Sequence, residues 1–146
     1  MKINKLWILC LLVFCSCGTK NEENIVSRGF ERAEQQLSAQ LKAIPEPTEY
    51  PRTIKDGKLK TTKKNDWTEG FYPGCLWYVY EHNRNENWKE AAIKWTEALE
   101  PLKKLTNHHD IGFLMYCSFG NAYRLTGNET YKDILVESAR SLCTRF

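Results

Sequence analysis

Two polar motifs carry the residue types that could do chemistry. NHHDIGF (107–113) places Asp110 after two histidines and before an apolar run, and DWTEGF (66–71) contains Trp67. A carboxyl group in a cleft can act as a general acid or base. An indole ring offers a flat face to the apolar side of a sugar. These residue types permit an acid–base site with an aromatic side chain nearby.

The residues of NHHDIGF also have structural interpretations. Aspartate directly before an apolar helical run is a typical N-cap, so Asp110 could satisfy backbone N–H groups of the helix that follows it, with or without a role in a cleft. His109 could hydrogen-bond a sugar or tune the aspartate, whereas we expect His108 either to support the residues around it or to have a purely structural role. The sequence alone leaves both interpretations of Asp110 open.

The apolar spacing predicts a mainly helical chain. Residues at steps of three and four predict an amphipathic helix over 25–44. The segment that follows contains prolines and an Asp-Gly turn signal, which indicates an extended connection and permits a short hairpin around Asp56 and Gly57. After Trp67 the pattern predicts further helices at about 73–82, 86–105, 110–125 and 130–146.

A repeat relates the segments 76–99 and 119–142. At an offset of 43 they share five identities, namely Tyr80/Tyr123, Asn85/Asn128, Glu86/Glu129, Lys89/Lys132 and Leu99/Leu142. At an offset of 42 the repeat extends to EGF in the first motif and IGF in the second. The unit is a helical hairpin, which must stack with others in an open solenoid or a closed toroid. We therefore expect both motif turns on one rim, with Gly70 and Gly112 allowing close backbone approach there.

The net charge and the cysteine spacing give no support for a nucleic-acid-binding or a metal-binding protein. A net charge of +3 without an arginine-rich segment gives no reason to expect a nucleic-acid partner. Cys75, Cys117 and Cys143 lie far apart and show no zinc-ligand spacing, so we expect buried free thiols and no metal site. Trp77, Trp88 and Trp95 have the spacing of core residues between helices.

The first 17 residues predict export. Lys2 and Lys5 precede an apolar run of about nine residues, which is too short for a membrane span of roughly 20 residues. FCSCGTKNEEN resembles a loose lipobox with Cys17 as the acylated residue, and cleavage of a plain secretory signal is the alternative. We expect an exported lipoprotein, periplasmic or outer-membrane associated, held at the membrane through its lipid.

The two motifs resemble those of the unsaturated glucuronyl hydrolases, glycoside hydrolase family 88, which carry D-W-T-[DE]-G-F followed by H-H-D-x-G-F. The resemblance covers 66–146 and implies helical hairpins of an (α/α)6 toroid. It also implies removal of unsaturated uronic acid from the non-reducing end of lyase-generated oligosaccharides, by hydration of the double bond and without a cofactor. Asp110 matches one of the family's two aspartates, and Trp67 matches the motif tryptophan.

The residue patterns indicate a signal (1–17) and an N-terminal helix and linker (18–65), and the resemblance implies that 66–146 is the first part of the toroid domain. In family members the second aspartate lies beyond the position of Phe146, and the final helical pattern has no stop signal. We therefore expect a truncated toroid that is inactive by itself. The alternative is a tetratricopeptide-like lipoprotein that binds glycan or protein without catalysis.

Overall fold

The computed structural model describes residues 19–62, 65–107 and 109–146, with side chains from residue 24 onward. Its elements are α1 (Thr19–Ala43), β1 (Tyr50–Lys55), β2 (Lys58–Thr62), α2 (Phe71–Asn83), α3 (Glu86–Glu97), α4 (Ile111–Met115), α5 (Asn121–Thr126) and α6 (Glu129–Cys143). Short 3-10 and π-helical segments complete the helical part. Among the described helices, none is both long and apolar enough to cross a bilayer.

The predicted helices are present, but one is shorter than expected. The pattern predicted a single helix over 86–105, whereas α3 ends at Glu97 and a 3-10 helix follows over Glu100–Lys104. Pro101 lies in the first turn of that 3-10 helix, and its ring nitrogen has no hydrogen to donate to a carbonyl four residues earlier. The proline therefore separates the two segments.

The linker forms the hairpin that its Asp-Gly pair permits. β1 and β2 are antiparallel, and the turn residues Asp56 and Gly57 both have positive φ angles, 51° and 71°. Positive φ at both positions is the requirement of a type I′ turn, which matches the twist of the strands. The strand pairing shifts by one residue between Pro51 and Thr53, so Arg52 lies in a β-bulge.

The two helical hairpins repeat the same local structure at their loops. Arg84 and Gly127 end the first helix of each pair in the left-handed conformation, with φ of 56° and 67°. The next residue of each loop is an asparagine N-cap whose side chain accepts a backbone N–H at 3.0 Å. These caps are Asn85 and Asn128.

The shared tyrosine, glutamate and lysine explain the identities at offset 43. In the first hairpin the Tyr80 hydroxyl donates to Glu86 at 3.4 Å, and Lys89 pairs with the same carboxylate at 2.9 Å. The Lys89 ammonium also lies 5.5 Å from the centre of the Tyr80 ring. The second hairpin forms the same three contacts with Tyr123, Glu129 and Lys132.

A π-helical segment accounts for the change of offset between the motifs and these contacts. Residues 116–120 form a π-helix that joins α4 to α5. A π-turn closes its hydrogen bond around one more residue than an α-turn, so it acts as a one-residue insertion in a helix. Positions before it match α2 at an offset of 42, and positions after it match at 43. The two repeats therefore correspond along their whole length once this one-residue insertion is allowed for.

The core lies between the helices of the two hairpins. Trp77 and Trp95 are fully buried, Trp88 is almost so, and the Trp77 indole N–H donates to Thr96 Oγ1 at 2.9 Å. The predicted core role of the three tryptophans is confirmed. The cysteine prediction is only partly right, because Cys117 is half-buried while Cys75 and Cys143 are exposed; all three are free thiols.

Candidate active site

The two motif turns meet at one end of the helices, as the repeat predicted. Gly70, at the start of α2, lies so close to α4 that an added Cβ would overlap the carbonyl oxygens of Phe113 and Leu114. One turn later, a Cβ at Gly74 would lie 2.8 Å from the Cys117 carbonyl oxygen. The prediction for Gly112 is wrong, since no atom lies within 4 Å of a Cβ there.

An aromatic cluster of Trp67, Phe71 and Phe113 joins the two motifs. The centroid of each ring lies 5.8 Å from those of the other two. All three side chains are partly exposed, with 38%, 38% and 47% of their surface open to solvent. Large aromatic side chains are usually buried more completely in a protein of this size. The rings are inclined to one another by 83°, 61° and 47°, so the cluster presents a partly open apolar surface on which each ring faces a different direction.

Asp110 lies immediately before α4, but its side chain makes no capping hydrogen bond to the helix. Its backbone carbonyl instead accepts from the N–H groups of Phe113 and Leu114, at 2.9 and 3.4 Å. The carboxylate Oδ2 lies 3.1 Å from Nε2 of His109. The N-cap interpretation of the Asp110 side chain is therefore wrong, since its carboxylate contacts His109 and makes no capping hydrogen bond.

The turn that carries Trp67 is held by polar contacts on both sides of the indole. Oδ1 of Asp66 accepts the backbone N–H of Thr68 at 2.9 Å and also the Thr68 hydroxyl. Arg52, from the bulge in β1, donates through Nη1 to the same Asp66 oxygen at 3.1 Å. Its guanidinium carbon lies 5.6 Å from the centre of the Trp67 ring. These contacts fix the backbone around Trp67.

Glu69 is a buried carboxyl group that the sequence analysis did not single out. It is 3% exposed and accepts a hydrogen bond from the Thr62 hydroxyl at 3.0 Å. Burial raises the pKa of Glu69, although hydrogen bonds from Thr62 and from the backbone oppose this. The raised pKa favours folding at low pH, and this contribution is lost as the pH rises through the folded-state value. The sequence signal that could have identified Glu69 is its place in the DWTEGF motif. The burial of its side chain indicates a structural role.

The described residues bring Trp67, Asp110 and His109 to the same rim. Asp110 is one-quarter exposed and His109 mostly exposed, and they precede Phe113 of the aromatic cluster by three and four residues. In this part of the chain no three His, Cys, Asp or Glu side chains converge in a way that could hold a metal ion. His108 and Cys17 lie outside the described residues. The two motif turns thus bring a carboxyl group and partly exposed aromatic rings to one end of the helices.

No family model matches the chain. Among curated proteins, it is 32% identical over 142 residues to an unsaturated glucuronyl hydrolase of Formosa agariphila, covering 93% of this chain and 36% of that protein. It is 31% identical over 126 residues to an unsaturated chondroitin disaccharide hydrolase of Streptococcus agalactiae, covering 83% of this chain and 31% of that protein. The chain thus spans about a third of the length of these relatives.

Solved structures give the same result. The chain matches an unsaturated glucuronyl hydrolase specific for heparin with a TM-score of 0.75 and 38% identity, over 82% of this chain and 32% of that one. It also matches an aspartate-to-asparagine variant of the Streptococcus agalactiae enzyme, complexed with dGlcA-GalNAc6S. That match has a TM-score of 0.72 and 29% identity, over 83% and 33% of the two chains.

These comparisons confirm the resemblance that the two motifs indicated. The curated relatives and structural neighbours of the chain are unsaturated glucuronyl hydrolases. The predicted fold class is confirmed as well, because the chain is mainly helical and its neighbours are (α/α)6 toroids that it covers in part.

Proposed function

We propose that this relative of the unsaturated glucuronyl hydrolases is part of a glycoside hydrolase that acts on oligosaccharides left by polysaccharide lyases. The enzyme removes a 4,5-unsaturated uronic acid from the non-reducing end. The observation that carries this proposal is the similarity over nearly the whole chain to proteins named for that activity. The position of Asp110, His109 and the aromatic cluster on one rim supports it.

The chemistry proposed for this site is hydration of an enol ether. A proton adds to C4 and the oxygen of a water molecule adds to C5. The resulting hemiketal opens by cleavage of the bond between C5 and the ring oxygen, which leaves a ketone at C5 and a hemiacetal at C1. The hemiacetal then collapses to an aldehyde and releases the remaining sugar. Such a reaction needs a carboxyl group that gives or takes a proton at the double bond. We assign Asp110 to this acid–base site as one of two carboxyl groups; the resemblance implies that the second aspartate, the main acid or base of the family, lies outside the present sequence. His109 hydrogen-bonds the sugar or orients the Asp110 carboxyl group, and Trp67 supports the sugar ring.

The test is an absorbance assay on the complete gene product, meaning the protein encoded by the whole reading frame that contains this sequence. It should consume the ultraviolet absorbance of unsaturated glycosaminoglycan disaccharides while leaving saturated disaccharides intact. We expect residues 17–146 alone to give no turnover, because acid–base hydration needs a cleft that excludes bulk water. Lack of turnover by the complete product on any unsaturated uronide would contradict the proposal.

A non-catalytic helical-repeat protein that binds glycan or protein is the alternative function. The hairpins alone would permit it. The similarity to named hydrolases favours catalysis, and so does a carboxylate with a histidine partner beside exposed aromatic rings. Tight binding of unsaturated disaccharides without any loss of absorbance would support the alternative.

Replacing Trp67 by alanine should raise KM about tenfold and change kcat little, because the substitution removes stacking area rather than the proton donor. Steady-state kinetics on the complete gene product would measure both constants. The matched control is Tyr78→Ala, since Tyr78 is another half-exposed aromatic residue but lies outside the aromatic cluster. Equal KM values for the Trp67 variant and the control would exclude the stacking role.

We further propose that the protein is an exported lipoprotein, periplasmic or outer-membrane associated. The apolar run LWILCLLVF, followed by CSC, supports export, and Glu22 and Glu23 after Cys17 resemble the signals of surface-exported lipoproteins.

Cys17→Ala should move the protein from the membrane fraction to the soluble fraction, because the thiol that carries the lipid is missing. Fractionation and labelling with palmitate would measure the change, and Cys15→Ala is the control. If the unaltered chain never incorporates label, the lipoprotein proposal is wrong.

A further inference from the structure

We propose that Arg52 is a positioning residue that holds Trp67 in the orientation required to stack against substrate. The role rests on the proposed function, because it concerns the same site. Arg52 belongs to the β-hairpin and not to either motif, so neither the repeat nor the motif resemblance assigns it a role. Three observations in the structure support the proposal.

The first observation is the bulge in β1. Pro51 pairs with Thr61 and Thr53 pairs with Lys60, so Arg52 is the extra residue of the strand. A bulge interrupts the alternation of side chains and can redirect one of them away from the regular face. Here the redirected side chain is the one that reaches the turn carrying Trp67.

The second observation is the set of contacts that the guanidinium makes. Nη1 donates to Asp66 Oδ1 at 3.1 Å and also to the Thr68 hydroxyl, which are the residues on either side of Trp67. The same group lies over the indole, with its central carbon 5.6 Å from the ring centre. A planar guanidinium can hydrogen-bond and stack at the same time, whereas a lysine ammonium can do less of both.

The third observation is the surroundings of the Trp67 ring. Phe71 and Phe113 each contact it with centroids 5.8 Å away, and Arg52 approaches it as well, while 38% of the side chain stays exposed. An exposed ring that is already held in one orientation loses less rotamer entropy when a ligand stacks on it. Arg52 therefore acts on substrate affinity through Trp67.

The charge of the hairpin alone does not explain these contacts. Lys55, Lys58 and Lys60 are exposed on the same hairpin, and none of them forms an ion pair within the described part of the chain. Arg52 does form one, although 39% of its side chain is exposed. Lys60→Gln is therefore the matched control, because it removes the same charge from the same hairpin without touching Trp67.

The experiment compares Arg52→Gln, Arg52→Lys and Lys60→Gln in the complete gene product. Arg52→Gln should raise KM for unsaturated disaccharides about tenfold with little change in kcat, and Arg52→Lys should recover part of the loss. Lys60→Gln should behave as the unaltered protein. A double variant with Trp67→Ala should add little to the effect of Trp67→Ala alone, because Arg52 acts through that ring.

A second readout does not depend on turnover. Arg52→Gln should increase quenching of tryptophan fluorescence by acrylamide, and this increase should disappear in a Trp67→Phe background. An unchanged KM in Arg52→Gln, or additive effects of Arg52→Gln and Trp67→Ala, would overturn the proposal. If the unaltered protein has no activity, the proposed function fails, and the quenching comparison decides whether Arg52 still positions Trp67.

Discussion

Asp110→Asn should lower kcat of the complete gene product by about 10²-fold or more and leave KM close to its original value. Asparagine keeps the size and planar shape of the side chain, but it cannot hold and release a proton at neutral pH. The carboxyl group lies 3.1 Å from His109, at the same end of the helices as the aromatic cluster. The substitution therefore removes the titratable group and leaves the apolar contact area unchanged. Steady-state kinetics with an unsaturated disaccharide would measure both constants.

Asp133→Asn is the matched control for this prediction, because Asp133 is an exposed aspartate on α6 and belongs to neither motif. It should keep the activity of the unaltered protein. Thermal unfolding of both variants would show whether a loss of activity reflects a loss of folded protein. Near-normal kcat in a folded Asp110→Asn protein would mean that NHHDIGF does not carry the reaction.

Gly70→Ala should destabilise the protein by about 3 kcal/mol or more, because the new methyl group would overlap the backbone carbonyls of Phe113 and Leu114. Backbone atoms in a packed helix cannot move aside as a flexible side chain can. Either α2 must move away from α4 or the start of one of the helices must unwind. Urea unfolding of the complete gene product would measure the change in its free energy of unfolding.

The control is Gly112→Ala, at the equivalent position of the second motif. A Cβ there meets nothing within 4 Å, and Gly112 lies in the first turn of α4. Alanine favours a helix over glycine by roughly 0.5–1 kcal/mol, so this variant should be equally or more stable. Similar destabilisation by both substitutions would show that the close contact at Gly70 is not what requires glycine.

The sequence predicted the parts of the fold that depend on local pattern and on repetition. The offset between Tyr80 and Tyr123 identified the hairpins, and the paired motifs predicted a common rim. The shorter α3 was not predicted, because apolar residues continue at helical spacing past Pro101 and indicated one uninterrupted helix. The π-helix was visible only as an unexplained change of offset.

The site was predictable only as far as its motifs reach. Trp67 and Asp110 are marked by their neighbours along the chain. Arg52 has no such marker, because its contact with Trp67 depends on a β-bulge that the residue types do not predict. Glu69 was overlooked although it lies in a motif, since an acidic residue in a turn is usually exposed and only the folded hairpin buries it.

The π-helix at 116–120 also bears on how the history of the repeat can be traced. Alignments normally place gaps in loops, where insertions are tolerated most easily. Here the two loops around Arg84 and Gly127 correspond residue by residue, and the difference of one residue falls inside a helix. An ancestral duplication followed by a single-codon insertion would leave this trace. A search for internal duplication that forbids gaps within helices would align either the motifs or the loops, but never both.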